Sequence, residues 1–168
     1  MSTPVARTLS GVLDEITAAG PQRPAVFYHT DTISYQALRN EARRAARGLL
    51  ALGVRPGGRV GVLLGNQPEW LITCFAATYV GATLVPLNTW HKSAELEWTL
   101  RHSGVRVLVA AAAFLSQDYA QLLPELAGRL PDLRTIVLVG AAARGSITWR
   151  ELVEGGATVG EESLDAAA

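Results

Sequence analysis

A chain of 168 residues, 49% of them hydrophobic and 18% charged, is long enough to bury about 70% of its unfolded surface, so a single domain around one core is the expectation. A formal net charge of zero offers no electrostatic footprint for nucleic acid or an anionic membrane surface, and disfavours both as partners. The N-terminus has no basic segment followed by an apolar core, and Cys74, the lone cysteine, has no internal disulfide partner. Its apolar surroundings read as a small buried hydrophobe, and a reducing, cytoplasmic location fits best.

Thr8 to Ala19 carries Val12, Leu13 and Ile16 at helical spacing and ends at Gly20-Pro21. Ala25–Tyr28 and Thr32–Ser34 read as short strands about a turn at Asp31. From Ser34, a plausible cap, Leu38, Ala42, Ala45, Leu49 and Leu52 share one helical stripe, while Arg39, Arg43, Arg44 and Arg47 fall largely off it. Gly53 closes that helix, Pro56-Gly57-Gly58 turns the chain, and Arg59–Leu64 reads as a buried strand.

Asn66-Gln-Pro-Glu69 reads as a helix start, with Asn66 as cap and Glu69 returning to the cap backbone. No charge occurs from Leu71 to Trp90, the length of a membrane span, but Gly81 and Pro86 split the run into a helix and a strand, so protein core is expected and no transmembrane segment. Ser93 then caps a helix to His102, Val105–Val109 is a strand, Phe114–Leu130 looks helical, and Thr135–Val139 is a β-branched strand. Ile147–Val153 adds a further helix, and Gly155–Ala168 has the composition of a linker-like or disordered tail. Alternating helices with continuously apolar strands argue for an α/β fold, a mainly parallel sheet with helices on both faces.

The usual nucleotide signals are absent. The glycines of Arg55–Gly65 do not give the dinucleotide fingerprint and read as turn and packing glycines. The sole lysine, Lys92, follows no glycine loop, and Gly140–Gly145 reads as a mobile turn. His91 with Glu95 is too few ligands for a metal, His29, His91 and His102 serve no nucleophile elbow, and Glu161-Glu162 reads as solvated charge. No catalytic and no metal-binding residue is assigned.

A set of short motifs nevertheless stands in a telling order: Ser34-Tyr35 with Leu38, Leu52-Gly53-Val54 with Pro56-Gly57 and Arg59-Val60, Asn66-x-Pro68-Glu69-Trp70, Gly81-Ala82-x-x-Val85-Pro86-Leu87-Asn88, then Glu95-Leu96 and Ser103. Each piece is weak and the ordered set is strong. From about Thr8 onward the chain resembles the N-terminal part of an adenylate-forming (AMP-binding) acyl-CoA synthetase or acid-CoA ligase, and the fold implied is the first subdomain of such an enzyme's large N-terminal domain. The resemblance makes residues 1–154 an incomplete subdomain and 155–168 its tail. It implies ATP-dependent activation of a fatty or aryl acid through an acyl-adenylate, with ATP, Mg and CoA used by the complete enzyme.

The family's phosphate loop, glutamate motif, ribose-binding aspartate and late lysine have no counterpart here, so no cofactor and no activity are expected of the chain alone. Its expected partner is the missing C-terminal portion of the ligase or a second copy of itself; the alternative is a non-catalytic interaction or complementation module derived from such an enzyme. Asn88, Thr89, Trp90 and His91 leave a presumed parallel strand at its C-terminal end, where ligands bind in open α/β sheets. The resemblance makes this loop a candidate contact for the CoA nucleotide, with Trp90 stacking on adenine; the competing role for Trp90 is to cover the core.

Overall fold

The computed structural model describes residues 8–167; residues 1–7 of the expected subdomain and Ala168 of the expected tail lie outside the described residues. Thr8 caps the first helix, α1 (Leu9–Ala19), accepting a 3.1 Å bond from the Gly11 amide. Strands β1 (Pro24–Tyr28) and β2 (Asp31–Ser34) form an antiparallel hairpin that turns at His29, whose φ is +51°. Ser34 Oγ accepts from the Ala37 amide at 3.2 Å and starts α2 (Tyr35–Ala51). Leu38, Ala42, Ala45 and Leu49 are all at most 3% exposed, so the apolar stripe is the buried face of this helix. Packing rather than propensity holds it, since each fully buried leucine contributes about 1.5–3 kcal/mol.

The central sheet is built from β3 (Arg59–Leu63), β4 (Thr83–Pro86) and β5 (Val107–Ala111), followed after the small hairpin β6 (Ala113–Phe114) and β7 (Gln117–Asp118) by β8 (Thr135–Val139) and β9 (Ile147–Thr148). Its five strands run β4-β3-β5-β8-β9, every pair parallel. Val60, Val62, Val107, Val109 and Val137 are fully enclosed, as expected of strands covered on both faces. The connecting helices are α3 (Pro68–Tyr79) between β3 and β4, α4 (Ser93–Ser103) between β4 and β5, and α5 (Tyr119–Ala127) before β8. Right-handed crossovers place α3, packed on α1 and α2, over one face and α4 with α5 over the other. The charge-free run from Leu71 to Trp90 is thus split between most of the twelve-residue α3, the edge strand β4 and the loop after it, and among the described residues no helix is long and apolar enough to cross a membrane.

Several local expectations are corrected. The cap of α3 is Gln67, not Asn66; it makes no side-chain cap bond, and Glu69 Oε2 accepts from Gln67 Nε2 at 3.2 Å instead of from the cap backbone. Phe114–Leu130 is not one helix: the β6–β7 hairpin precedes α5, with Leu115 at φ +52°, and Asp118 Oδ1 caps α5 through the Gln121 amide at 3.0 Å. Ile147-Thr148 joins the sheet before α6 (Trp149–Gly155) begins with a capping box between Thr148 and Glu151.

The tail is also folded. Gly156–Thr158 forms a 3-10 turn and Glu161–Asp165 a last helix, α7, whose Leu164 is fully buried. Arg43 donates to Glu161 and, at 2.8 Å, to Asp165, and Arg47 donates to Glu161 as well. Glu161 is therefore a paired group, not a merely solvated one. Burial works against the Arg43 charge, but its bonds to Asp165 and Glu161 more than compensate and hold its pKa above the usual arginine value.

Candidate functional site

Winding of the sheet reverses between β3 and β5: the chain leaves β3 through α3 toward β4, and leaves β5 through α5 toward β8, on the opposite face. In open α/β sheets such a switch point, at the carboxyl ends of the strands, is where ligands bind. Here Gly65 follows β3 and Phe114 follows β5. A Cβ at Gly65 would lie 2.3 Å from Phe114 Cε2, so the aromatic ring occupies the mouth of this crevice. Sequence reasoning missed this feature, because it needs the strand order, and no local motif encodes that.

The loop Asn88–His91 leaves β4, the edge strand, at the same carboxyl end of the sheet. It is tied down at several points. Asn88 Oδ1 accepts from the Trp90 amide at 2.9 Å and its carbonyl from the His91 amide at 3.1 Å, a tight Asx turn. Tyr119, fully buried at the start of α5, donates its hydroxyl to the Thr89 carbonyl at 2.8 Å, and burial raises the phenol's pKa. The Lys92 amide donates to Glu95 Oε2 at 2.7 Å at the entrance to α4.

This bracing leaves Trp90 75% exposed, which removes the reading in which it covers the core. His91 Nδ1, by contrast, is shielded from solvent and has no hydrogen-bond partner, an arrangement that costs about 1–3 kcal/mol. Beside it His91, Ala94, Glu95, Trp98 and Thr99 line a shallow open groove. His102 is not part of that groove lining; its ring stacks on Trp98, 4.9 Å between centroids and 5° from parallel.

Among the described residues no three His, Cys, Asp or Glu side chains converge to hold a metal ion. Cys74 is half-buried in α3 and burial raises its thiol pKa, which suppresses the thiolate. Gly140 and Gly145 take positive φ in a turn closed by Ser146 Oγ, which donates to the Ala143 carbonyl at 2.8 Å; the turn leads into β9. The loops at the carboxyl edge thus supply an indole, an imidazole and backbone groups, and no cluster of cations for a phosphate chain.

This architecture is a doubly wound α/β subdomain with its candidate site at the carboxyl edge. The family model described as AMP-binding enzyme matches residues 13–162, and the chain belongs to that family. It is 36% identical over 151 residues to a methyl-dioxo-octahydro-indenyl-propanoyl:CoA ligase of Mycobacterium tuberculosis, a match covering 90% of this chain and 29% of that protein. It is 32% identical over 167 residues to the mitochondrial medium-chain acyl-CoA ligase ACSF2 of Rattus norvegicus, covering 90% of this chain and 27% of that one. Among solved structures, a long-chain-fatty-acid CoA ligase of Rhodopseudomonas palustris superposes with a TM-score of 0.80 at 25% identity over 89% of this chain and 37% of its own. The anthranilate CoA ligase AuaEII, solved with anthranoyl-AMP, gives 0.80 at 27% identity over 90% of this chain and 29% of its own. The chain thus spans less than a third of the length of the curated relatives it matches.

Proposed function

We infer that the chain supplies the first subdomain of an AMP-forming acid-CoA ligase and has no ligase activity by itself. The observation that carries this reading is the family match over residues 13–162 to proteins of which the chain spans only 27–29%. A fatty or aryl acid is the substrate class of the complete enzyme, with ATP, Mg and CoA as its cosubstrates and metal, and the cytoplasm its compartment. The remaining C-terminal portion of such a ligase is the partner, and self-association is what the chain does without it.

In this reading Asn88, Thr89, Trp90 and His91 meet the CoA nucleotide. The free indole of Trp90, held on a braced turn, suits a stacked adenine, and the orphaned His91 Nδ1 suits a polar group of the nucleotide. The residues at the carboxyl edge do not fit the ATP phosphates or their magnesium, so no step of adenylation is assigned to side chains of this chain.

The test is the intact mass of the product of the native gene, followed by acyl-CoA formation from a panel of fatty and aryl acids. A product well above 17.9 kDa that makes acyl-CoA, and loses CoA affinity on Trp90→Ala, is the expected outcome. A native product of 17.9 kDa with no ligase activity, alone or with separately encoded ligase segments, would replace the reading by that of a non-catalytic interaction module.

A further inference from the structure

At the opposite, amino-terminal end of the sheet three arginines stand side by side. Arg59 opens β3, Arg106 immediately precedes β5 and Arg134 immediately precedes β8. The parallel registers pair Val60 with Val107 and Val107 with Thr135, which puts the three arginines in one cross-strand row. Backbone bonds fix the row: the Arg106 amide donates to the Arg59 carbonyl at 3.1 Å, and the Arg134 amide to the Arg106 carbonyl at 2.8 Å. Adjacent parallel strands lie about 4.8 Å apart, so the row spans about 10 Å.

Like charges directly opposite each other on neighbouring strands are destabilising, and one carboxylate, Asp132, stands near these three among the described residues. Among the described residues none of the three guanidinium groups makes an ion pair or hydrogen bond, whereas Arg39, Arg43, Arg44, Arg47, Arg101, Arg129 and Arg150 pair with carboxylates. The three unpaired arginines line one cavity of about 460 Å³, to which Asp132 brings the only carboxylate. A fourth arginine in the lining, Arg55, is committed elsewhere, donating to the Leu50 carbonyl at 3.0 Å and the Val54 carbonyl at 2.8 Å.

Gly104, the left-handed C-cap of α4 with φ +63°, keeps the floor open. A Cβ there would lie 3.0 Å from an Arg59 guanidinium nitrogen and 3.9 Å from Asp132 Oδ2. A small residue is therefore placed where the cationic head of Arg59 folds over the end of the helix.

We propose that the row Arg59, Arg106 and Arg134 is a binding site for an oligophosphate anion, a chain of two or three phosphates lying across the strand starts. Guanidinium forks donate bidentately to phosphate oxygens, and three of them in a row match a linear polyanion better than a single sulfate or carboxylate. No aromatic side chain lines the cavity, so recognition is of the phosphate chain and not of a base. The site is separate from the carboxyl-edge loops: it lies at the other end of β3, about 13 Å away along the strand.

Calorimetric titration of the 168-residue chain with sodium tripolyphosphate, at fixed ionic strength maintained with chloride, tests the proposal. Saturable one-to-one binding is expected, with orthophosphate weakest and pyrophosphate between. Arg106→Gln, at the centre of the row, should weaken tripolyphosphate binding at least tenfold, Arg106→Lys less, and Arg59→Gln or Arg134→Gln severalfold. Arg150→Gln, on the exposed face of α6 beside Glu154, should change it less than twofold. All four arginines are exposed, and circular dichroism and melting of each variant check that its fold is retained. ATP and GTP without magnesium should bind no tighter than tripolyphosphate. Absence of saturable binding, an Arg106→Gln variant that folds and binds as the parent does, or a clear preference for one nucleotide would overturn the proposal.

Discussion

Phe114 and Gly65 meet edge-on at the carboxyl end of the sheet, and the ring stands where any larger residue at 65 would place its Cβ, 2.3 Å from Cε2. A second glycine, Gly48 in α2, is crowded just as closely, but by backbone: a Cβ there would lie 2.3 Å from the Leu152 carbonyl oxygen of α6. The two contacts differ in what can yield. A half-buried ring at a loop can swing, whereas α6 cannot retreat from α2 without opening the core.

Gly65→Ala should therefore cost less than about 1 kcal/mol, whereas Gly48→Ala should destabilise by about 1–3 kcal/mol through overpacking. The second is informative in sign as well as size, since alanine in a helix interior ordinarily gains about 1 kcal/mol over glycine. Urea midpoints of the two variants measure both; a Gly48→Ala chain more stable than the parent would show that α2 and α6 are not this close.

The last helix gives a contrast between charge and burial. Leu164 is fully buried under α7, while Glu161 is half-exposed in its pairs with Arg43 and Arg47. Leu164→Ala should cost about 2–5 kcal/mol. Glu161→Gln, at an exposed ion pair, should cost no more than about 1 kcal/mol, and less in high salt. Equal losses from the two changes in a denaturation series would mean that the arginine contacts, not the leucine, dock this helix.

This helix also marks where the sequence stops being legible. The stripe Leu38, Ala42, Ala45 and Leu49, and the strands at Arg59, Thr83 and Thr135, are visible because long periodic or β-branched runs carry their own signal. The 155–168 stretch is not, because its glycines and acids look like a tail until the arginine face of α2 stands opposite Glu161 and Asp165. The β6–β7 hairpin is hidden for a similar reason. Phe114–Leu130 reads as one helix from its sequence, and only the left-handed Leu115 and the cap at Asp118 reveal a turn. At the candidate site, the sequence legibly places the loop Asn88–His91 after a parallel strand, but not the switch point at Gly65 and Phe114, which depends on which strands are neighbours.

Tyr79 predicts a pH dependence. Its phenol is buried on α3 and donates to Asp14 Oδ1 at 2.6 Å; burial, and then the bond to Asp14 and that carboxylate's charge, push its pKa well up, against the opposing charges of Arg39 and Arg43. A group with a raised folded-state pKa contributes stability that is complete below its unfolded value, about 10, and is lost as pH climbs from there toward the folded value. Stability should accordingly fall above about pH 10, and Tyr79→Phe should flatten part of that alkaline limb. The same variant should cost about 1–3 kcal/mol at neutral pH for the lost bond to a carboxylate. An unchanged alkaline limb in thermal melts of the variant would detach the effect from Tyr79.

Exposed apolar side chains predict self-association. Phe27, Trp90, Trp98 and Leu115 are each at least 65% exposed. Trp98 lines the groove on α4 and Trp90 stands exposed on the loop just before that helix, and together they leave two indoles in water. Light scattering over a concentration series should show a rising apparent mass, reduced by Trp90→Ser with Trp98→Ser. A parent chain that stays monomeric at high concentration and binds no hydrophobic dye would remove this expectation.

Activation of a carboxylate by ATP places growing negative charge on the phosphates, and the active site must answer it with preorganised cations and donors. At the carboxyl edge of this sheet Lys92 is the only lysine, and its backbone amide, at the entrance to α4, serves the local cap with Glu95. The arginine row at the other end of the sheet cannot substitute, because a phosphate chain held there lies about 13 Å from the crevice at Gly65 and Phe114. Carboxylate-dependent exchange of labelled pyrophosphate into ATP should therefore be undetectable for the purified 168-residue chain, with contaminating ligases excluded by a mock purification. Tripolyphosphate binding at Arg106 should persist in that same preparation, so the absence of exchange would not reflect an unfolded protein. Exchange that depends on a fatty or aryl acid and survives in the Arg106→Gln variant would mean that the carboxyl-edge loops assemble an adenylation site without a cluster of cations.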